Sequence, residues 1–161
     1  MKKLILSAVA AFTFSAAHAT DIAVVDLDKV VQSSTYLQQQ NTQLKNSVQG
    51  QTSQIEKLQK ELVELQKKGQ ASKNQAERDK LAKEFETKAN QLNGLQQQVQ
   101  TKVQSTLQNV NKTFEGRVTS VAEQLRKEAK VDLIINKNAV LAADAKADLT
   151  DKMIQKVNAI K

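Results

Sequence analysis

Leu37, Leu44, Val48, Ile55, Leu58, Leu62 and Leu65 fall on one alternating three-and-four register, and Asn41 and Gln51 occupy polar layers of that register. A 3.5-residue period fits a helix that buries one apolar stripe against a partner helix, and it does not fit a strand, whose side chains alternate at every second position. The stripe breaks over Lys67 to Asn74, where nothing apolar continues it and Gly69 can end a helix. It resumes with Leu81, Phe85, Leu92 and Leu95. From Val99 the steps become four, four and three through Val103, Leu107, Val110, Phe114, Val118, Val121 and Leu125. That 11-residue repeat straightens a supercoil or reverses it, so the second helix should twist against the first near the tip and run straighter towards its end. The segment is an antiparallel helical hairpin whose tip lies near 67–76. A return helix of some 50 residues is about 75 Å long, far beyond the diameter of a small domain. Composition agrees, with no proline, four glycines and abundant Gln, Lys, Ala, Leu and Glu.

The hairpin is bracketed by strand-like runs at opposite ends of the sequence. Ile22-Ala23-Val24-Val25-Asp26-Leu27 and Val131-Asp132-Leu133-Ile134-Ile135 are short, apolar and rich in β-branched residues. After the turn signal Asn136-Lys137-Asn138, Ala139-Val140-Leu141-Ala142 can return as a hairpin strand. Leu149 to Lys161 carries Met153, Ile154 and Val157 at helical spacing behind Thr150, the expected N-cap. Residues 20–36 and 126–161 therefore form a small β-containing head, with 37–125 as the arm. The head's expected core is Ile22, Val24, Val25, Leu27, Leu133, Ile134, Ile135 and Val140. These strands are apolar on both faces and the head is too small to cover them alone, so oligomerisation through the head is expected.

The start of the chain sets its compartment. Met1-Lys2-Lys3 is basic, Leu4 to Phe14 is a short apolar run, and Ala17-His18-Ala19 is a small-residue cleavage motif, which places cleavage of a secretory signal between Ala19 and Thr20. The apolar run is too short to span a bilayer. Losing Lys2 and Lys3 with the signal lowers the formal charge from +7 to +5. The single histidine, His18, leaves with it, and there is no cysteine. The processed chain thus lacks disulfides, a thiol nucleophile, imidazole proton shuttles and the commonest metal ligands, and neither metal nor cofactor is expected. Asp26 and Asp28 have no third ligand nearby, and Asp28 before Lys29-Val30-Val31 reads as a helix N-cap. Ser33-Ser34-Thr35 has no base or glycine-rich elbow and reads as a linker or second cap. No phosphate-binding G-x-x-x-x-G-K-[ST] occurs, so an enzyme is not expected.

Two arm features are candidates for function. Lys67, Lys68, Lys73, Arg78, Lys80 and Lys83 against Glu77 and Asp79 leave a local excess of four positive charges over residues 66–83. This is either a solvated tip or a surface for acidic clients or anionic headgroups. Folding the hairpin about residue 72 sets Gly50 opposite Gly94 with Gln51 in the same layer, which is either a hinge or a pair of surface glycines. Several charges are spaced for i,i+4 pairing: Lys57/Glu61, Glu64/Lys68, Lys80/Glu84 and Glu84/Lys88. Nucleic acid is not an expected partner, since the chain carries a secretion signal, no recognised binding motif and few aromatics for stacking.

The order of these features resembles the Skp (OmpH) family, most specifically at Ile22 to Leu27, Val131 to Val140 and Asp148-Leu149-Thr150. The resemblance implies a mainly α fold with a small β head, in which a long antiparallel coiled-coil arm projects from a β-containing trimerisation domain. It also implies a homotrimer with a shared β-barrel, three arms around a cavity, and an ATP-independent periplasmic holdase that keeps unfolded outer-membrane β-barrel proteins soluble and aids their delivery. The alternatives are an envelope structural protein, or a coiled-coil protein that binds lipopolysaccharide or a membrane surface.

Overall fold

The computed structural model describes residues 20–161; the expected signal segment and its expected cleavage between Ala19 and Thr20 fall on or against residues outside the described ones. The order is β1 (Ile22–Val25), α1 (Leu27–Gln32), α2 (Thr35–Ala71), α3 (Gln75–Ala129), β2 (Leu133–Asn136), two single 3₁₀ turns at Lys137–Ala139 and Ala145–Ala147, and α4 (Thr150–Ala159). β1 and β2 pair in parallel, with Ile22 opposite Leu133 and Val25 opposite Asn136. A parallel pair needs a crossover. Here the crossover is the whole arm, α2 running out and α3 running back.

The arm stands on the 37 residues of α2 and the 55 of α3, the latter about 80 Å long. Ser34 opens α2 by accepting the Leu37 amide at 3.2 Å, and its own burial is thereby satisfied. α2 continues through Gly69 to Ala71 instead of ending at that glycine, because Gly69 keeps helical backbone and Ser72 closes the last turn onto the Lys68 carbonyl. Asn74 then caps α3 through the amides of Ala76 and Glu77. The connection Ser72–Asn74 is centred on residue 73. This sets Gly50 level with residue 96 instead of Gly94, an offset of roughly 3 Å at 1.5 Å per residue.

At its far end α3 stops in a left-handed turn at Lys130 (φ 55°), where the Val131 amide reaches back to the Arg126 carbonyl and the Lys130 amide to that of Lys127. This is the Schellman closure, here built on a lysine where glycine is usual. It drops Val131 onto the head core.

That core is built mainly by helices. Ala23 and Val25 of β1 meet Val30 of α1, Val121 and Leu125 of α3, and Leu149, Met153 and Val157 at α4. Several sequence expectations change here. Residues 139–142 form no returning strand: Asn136 caps a 3₁₀ turn, and the Val140 amide closes onto the Lys137 carbonyl. The N-cap of α1 is Asp26, which accepts the Lys29 amide at 3.0 Å, because the strand stops at Val25 and Leu27 is already helical. Asp28 instead accepts Asn138 Nδ2 at 2.8 Å, tying α1 to the turn after β2. Thr150 is the first residue of α4, not its cap; its Oγ1 accepts the Asp26 amide at 2.9 Å.

Candidate functional site

Along the arm the seam follows the apolar register. Leu44, Val48, Ile55, Leu58 and Leu62 on α2 and Leu81, Leu92, Leu95 and Val99 on α3 are half-buried, and Leu65 is buried. Two helices alone cannot bury a stripe completely, so these values suit a two-helix arm. Phe85 is the looser member at 39% exposed. The 11-residue repeat holds at Val99, Val110 and Val121 and at Val103, Phe114 and Leu125. Leu107 departs from it: the seam takes Thr106, and Leu107 turns outward at 48% exposed.

The middle of the arm is polar. Lys88 crosses from α3 to Glu61 at 2.7 Å, while Lys57 approaches the same carboxylate at 3.8 Å. The hydrogen bond from Lys88 holds Glu61 below the ordinary carboxylate range, and the same bond raises Lys88. Of the expected i,i+4 pairs only Lys57/Glu61 is an ion pair; Lys88 prefers the partner across the seam, where both groups sit partly shielded, to Glu84 on its own exposed face. Farther up, Lys102 Nζ donates to the Ser47 carbonyl at 2.9 Å. Between these clamps the Gln51 Oε1 is buried with no hydrogen-bond partner among the described residues. Gly50 and Gly94 flank this layer, and a Cβ on either would meet nothing within 4 Å, so close packing does not require glycine there.

At the tip the acids are engaged and the bases are not. Glu77 accepts the Ser72 hydroxyl at 2.7 Å and Asp79 accepts Gln75 Nε2 at 2.9 Å. Among the described residues the side chains of Lys67, Lys68, Lys73, Arg78, Lys80 and Lys83 make no hydrogen bond or ion pair, and all six are exposed. The local positive excess therefore faces solvent.

At the head the expected core splits into two sets. Val24 and Val25 are buried, Leu27, Ile134, Ile135 and Val140 are half-buried, and Ile22 and Leu133 stay 45% and 46% exposed. Val24 escapes the open face because the chain returns alongside β1, with the Leu149 amide donating to the Val24 carbonyl at 2.9 Å. Asp148 fastens this return. Its carboxylate takes Lys137 Nζ at 2.7 Å together with the amide and hydroxyl of Thr150, which lowers its pKa to about 2. Two contacts carried no sequence signal: Arg117 stacks over the Tyr36 ring at 4.1 Å and donates to the Ile160 carbonyl at 2.9 Å, so one guanidinium joins α2, α3 and the end of α4.

Among the described residues no group of three or more His, Cys, Asp or Glu could hold a metal ion, and no helix is long and apolar enough to cross a membrane. The family described as outer membrane protein (OmpH-like) matches residues 21–157. An uncharacterised protein of Aquifex aeolicus is 28% identical over 98% of this chain and 97% of its own length. A Skp-like protein of Chlamydia pneumoniae is also 28% identical, over 98% of this chain and 96% of its own. The fold matches a Caulobacter crescentus crystal structure named for an OmpH-like outer membrane chaperone, with TM-score 0.72 and 19% identity over 88% of this chain and 85% of that one.

Proposed function

The chain belongs to the OmpH-like outer membrane protein family, and from that premise we propose that it is a periplasmic holdase that keeps unfolded outer-membrane β-barrel proteins from aggregating, without ATP. The observation that carries this reading is the arm. A helix pair that runs together for about 55 Å offers solvent a glutamine-rich polar surface and ends in six unpaired cations. Many weak contacts on such a surface enclose a client without ordering it, so the client keeps most of its chain entropy. Free cations speed the encounter with acidic chains.

A single arm encloses nothing, and the reading includes a homotrimer joined through the heads. The paired, exposed Ile22 and Leu133, together with the exposed Leu141, support it, as a neighbouring head would cover these groups. The layer of Gly50, Gln51 and Gly94 between the Lys88 and Lys102 clamps is the place where an arm would bend to fit clients of different size.

The test dilutes a urea-unfolded acidic β-barrel protein into buffer with and without the purified chain, ATP being absent, and follows light scattering. Suppression at about three chains per client, with sedimentation reporting a trimer, is expected. Undiminished scattering would refute the holdase. The free tip cations also favour a second reading, binding to anionic headgroups, which co-sedimentation with anionic vesicles at low salt measures directly.

A further inference from the structure

Just above the tip a surface groove runs along the seam, which stays closed at the buried Leu65. Gly69 presents no side chain towards α3 and Ala82 is small, leaving an open groove of about 430 Å³, within the range of clefts that hold small ligands. Leu65, Leu81 and Phe85 form its apolar floor, and Arg78 stands at its rim. Phe85 differs from the other aromatics after the signal segment. Tyr36 is covered by Arg117, and Phe114 packs against the head core. Phe85 is 39% exposed and lines the same groove as the unpaired Arg78. No carboxylate lines the groove, and the nearest acids of the tip, Glu77 and Asp79, are held by Ser72 and Gln75.

We propose that this groove is a capture site for an aromatic side chain flanked by a carboxylate in an unfolded polypeptide, an inference that rests on the holdase reading and deepens it. The ring would lie against Leu65, Leu81 and Phe85, where offset or edge-on packing with Phe85 favours an aromatic over an aliphatic group. The neighbouring carboxylate would take a forked, charge-assisted pair of hydrogen bonds from Arg78. Charge complementarity selects the occupant: an apolar floor under an unpaired cation rejects a basic segment and gains little from a neutral one. Lys67, Lys68, Lys73, Lys80 and Lys83 draw acidic chains to the tip without discriminating among them, and the groove supplies the discrimination.

The test uses the full chain and fluorescein-labelled ten-residue peptides of serine and threonine with a central Asp-Phe-Asp, read by anisotropy. Replacing the central Phe with Ala, or both Asp with Asn, should each weaken binding at least fivefold. Gly69→Leu fills the groove from a position where an added Cβ meets nothing within 4 Å, so the helix is kept, and Arg78→Gln removes the rim cation. Each should weaken the parent peptide at least fivefold while circular dichroism stays unchanged. Equal affinity for the three peptides, or wild-type affinity in Gly69→Leu, overturns the site; so does displacement of the peptide by anionic vesicles whose binding shows the same dependence on Gly69 and Arg78. Light scattering with an unfolded barrel separates the two levels. If wild type suppresses aggregation and the peptides bind alike, the groove proposal falls and the holdase stands. If wild type suppresses nothing, the holdase itself falls.

Discussion

Replacing Asp148 by Asn removes one charge from the point where the returning chain is fastened to β1. In the folded head the Asp148 carboxylate takes Lys137 Nζ at 2.7 Å and the Thr150 amide at 2.9 Å, and its pKa falls from 3.8 to about 2. At 24% side-chain exposure the carboxylate is shielded enough for the shift to be read as stability. A depression of nearly two units corresponds to about 2 kcal/mol at neutral pH, the value for a charge-assisted network of this kind. Because the folded pKa lies below the unfolded one, this contribution is fully present above about pH 4 and disappears as the pH falls through about 2. Asn keeps an acceptor for Thr150 and turns an amide donor towards the Lys137 ammonium. Urea unfolding followed by circular dichroism, at one protein concentration, should show the variant less stable by about 2 kcal/mol at pH 7 and nearly equal to wild type near pH 2. A difference that is absent at pH 7, or that persists unchanged to pH 2, would refute the assignment of Asp148 as a charged fastening.

Lys130→Gly removes the side chain from the left-handed residue that closes α3 and should raise stability by about 1 kcal/mol in the same titration; a loss of stability would mean that the lysine makes a compensating contact. Gln51→Leu replaces a buried unpaired oxygen in the arm seam and should stabilise the arm by about 1 kcal/mol or more, seen as slower amide exchange around residues 47–55 and 92–99, with unchanged exchange counting against a strained polar layer. Excising residues 50–96 across a short turn shortens both arm helices equally about residue 73, and the product should sediment as wild-type heads do yet fail to suppress aggregation; full protection by it would show that the arm is not the holding surface. Reversing Lys67, Lys68, Lys73 and Lys80 to Glu should slow client capture at low salt to the rate that wild type shows at about 0.5 M salt, where the screening length is only several ångströms, and stopped-flow fluorescence decides it.

The arm was readable in the sequence because its signal is a period sustained over many turns. Leu44 to Leu65 repeat often enough that no other structure satisfies them. The register failed locally at Leu107, since in an 11-residue repeat the neighbouring positions 106 and 107 are nearly equivalent and the approach of the other helix decides between them. The ends of the head elements were harder for a related reason. Whether Asp26 or Asp28 caps α1 depends on where β1 lets go, and that is set by the Asp26 amide bonding to Thr150, 124 positions away. Residues 139–142 have strand-like composition, but Lys137 and Asn138 are drawn to Asp148 and Asp28, which fixes the turn that follows β2. The tip cations were visible in composition alone. That their acidic neighbours are already occupied, and that Gly69 and Ala82 leave a groove beside them, depends on which residues the hairpin brings level.

The parallel pairing of β1 with β2 also favours one order of folding over another. Ile22 and Leu133 are 111 positions apart, and closing a loop of that length before anything else has formed costs entropy with only a few strand bonds in return. Zipping the hairpin from Ser72–Asn74 outward needs only neighbouring contacts at each step, and every added turn brings the two termini of the arm closer. When α2 and α3 have paired to their ends, the strands meet as though joined by a short linker. The arm is thus expected to form before the head, and a lesion in the seam far from the head should slow head formation without touching any residue in it.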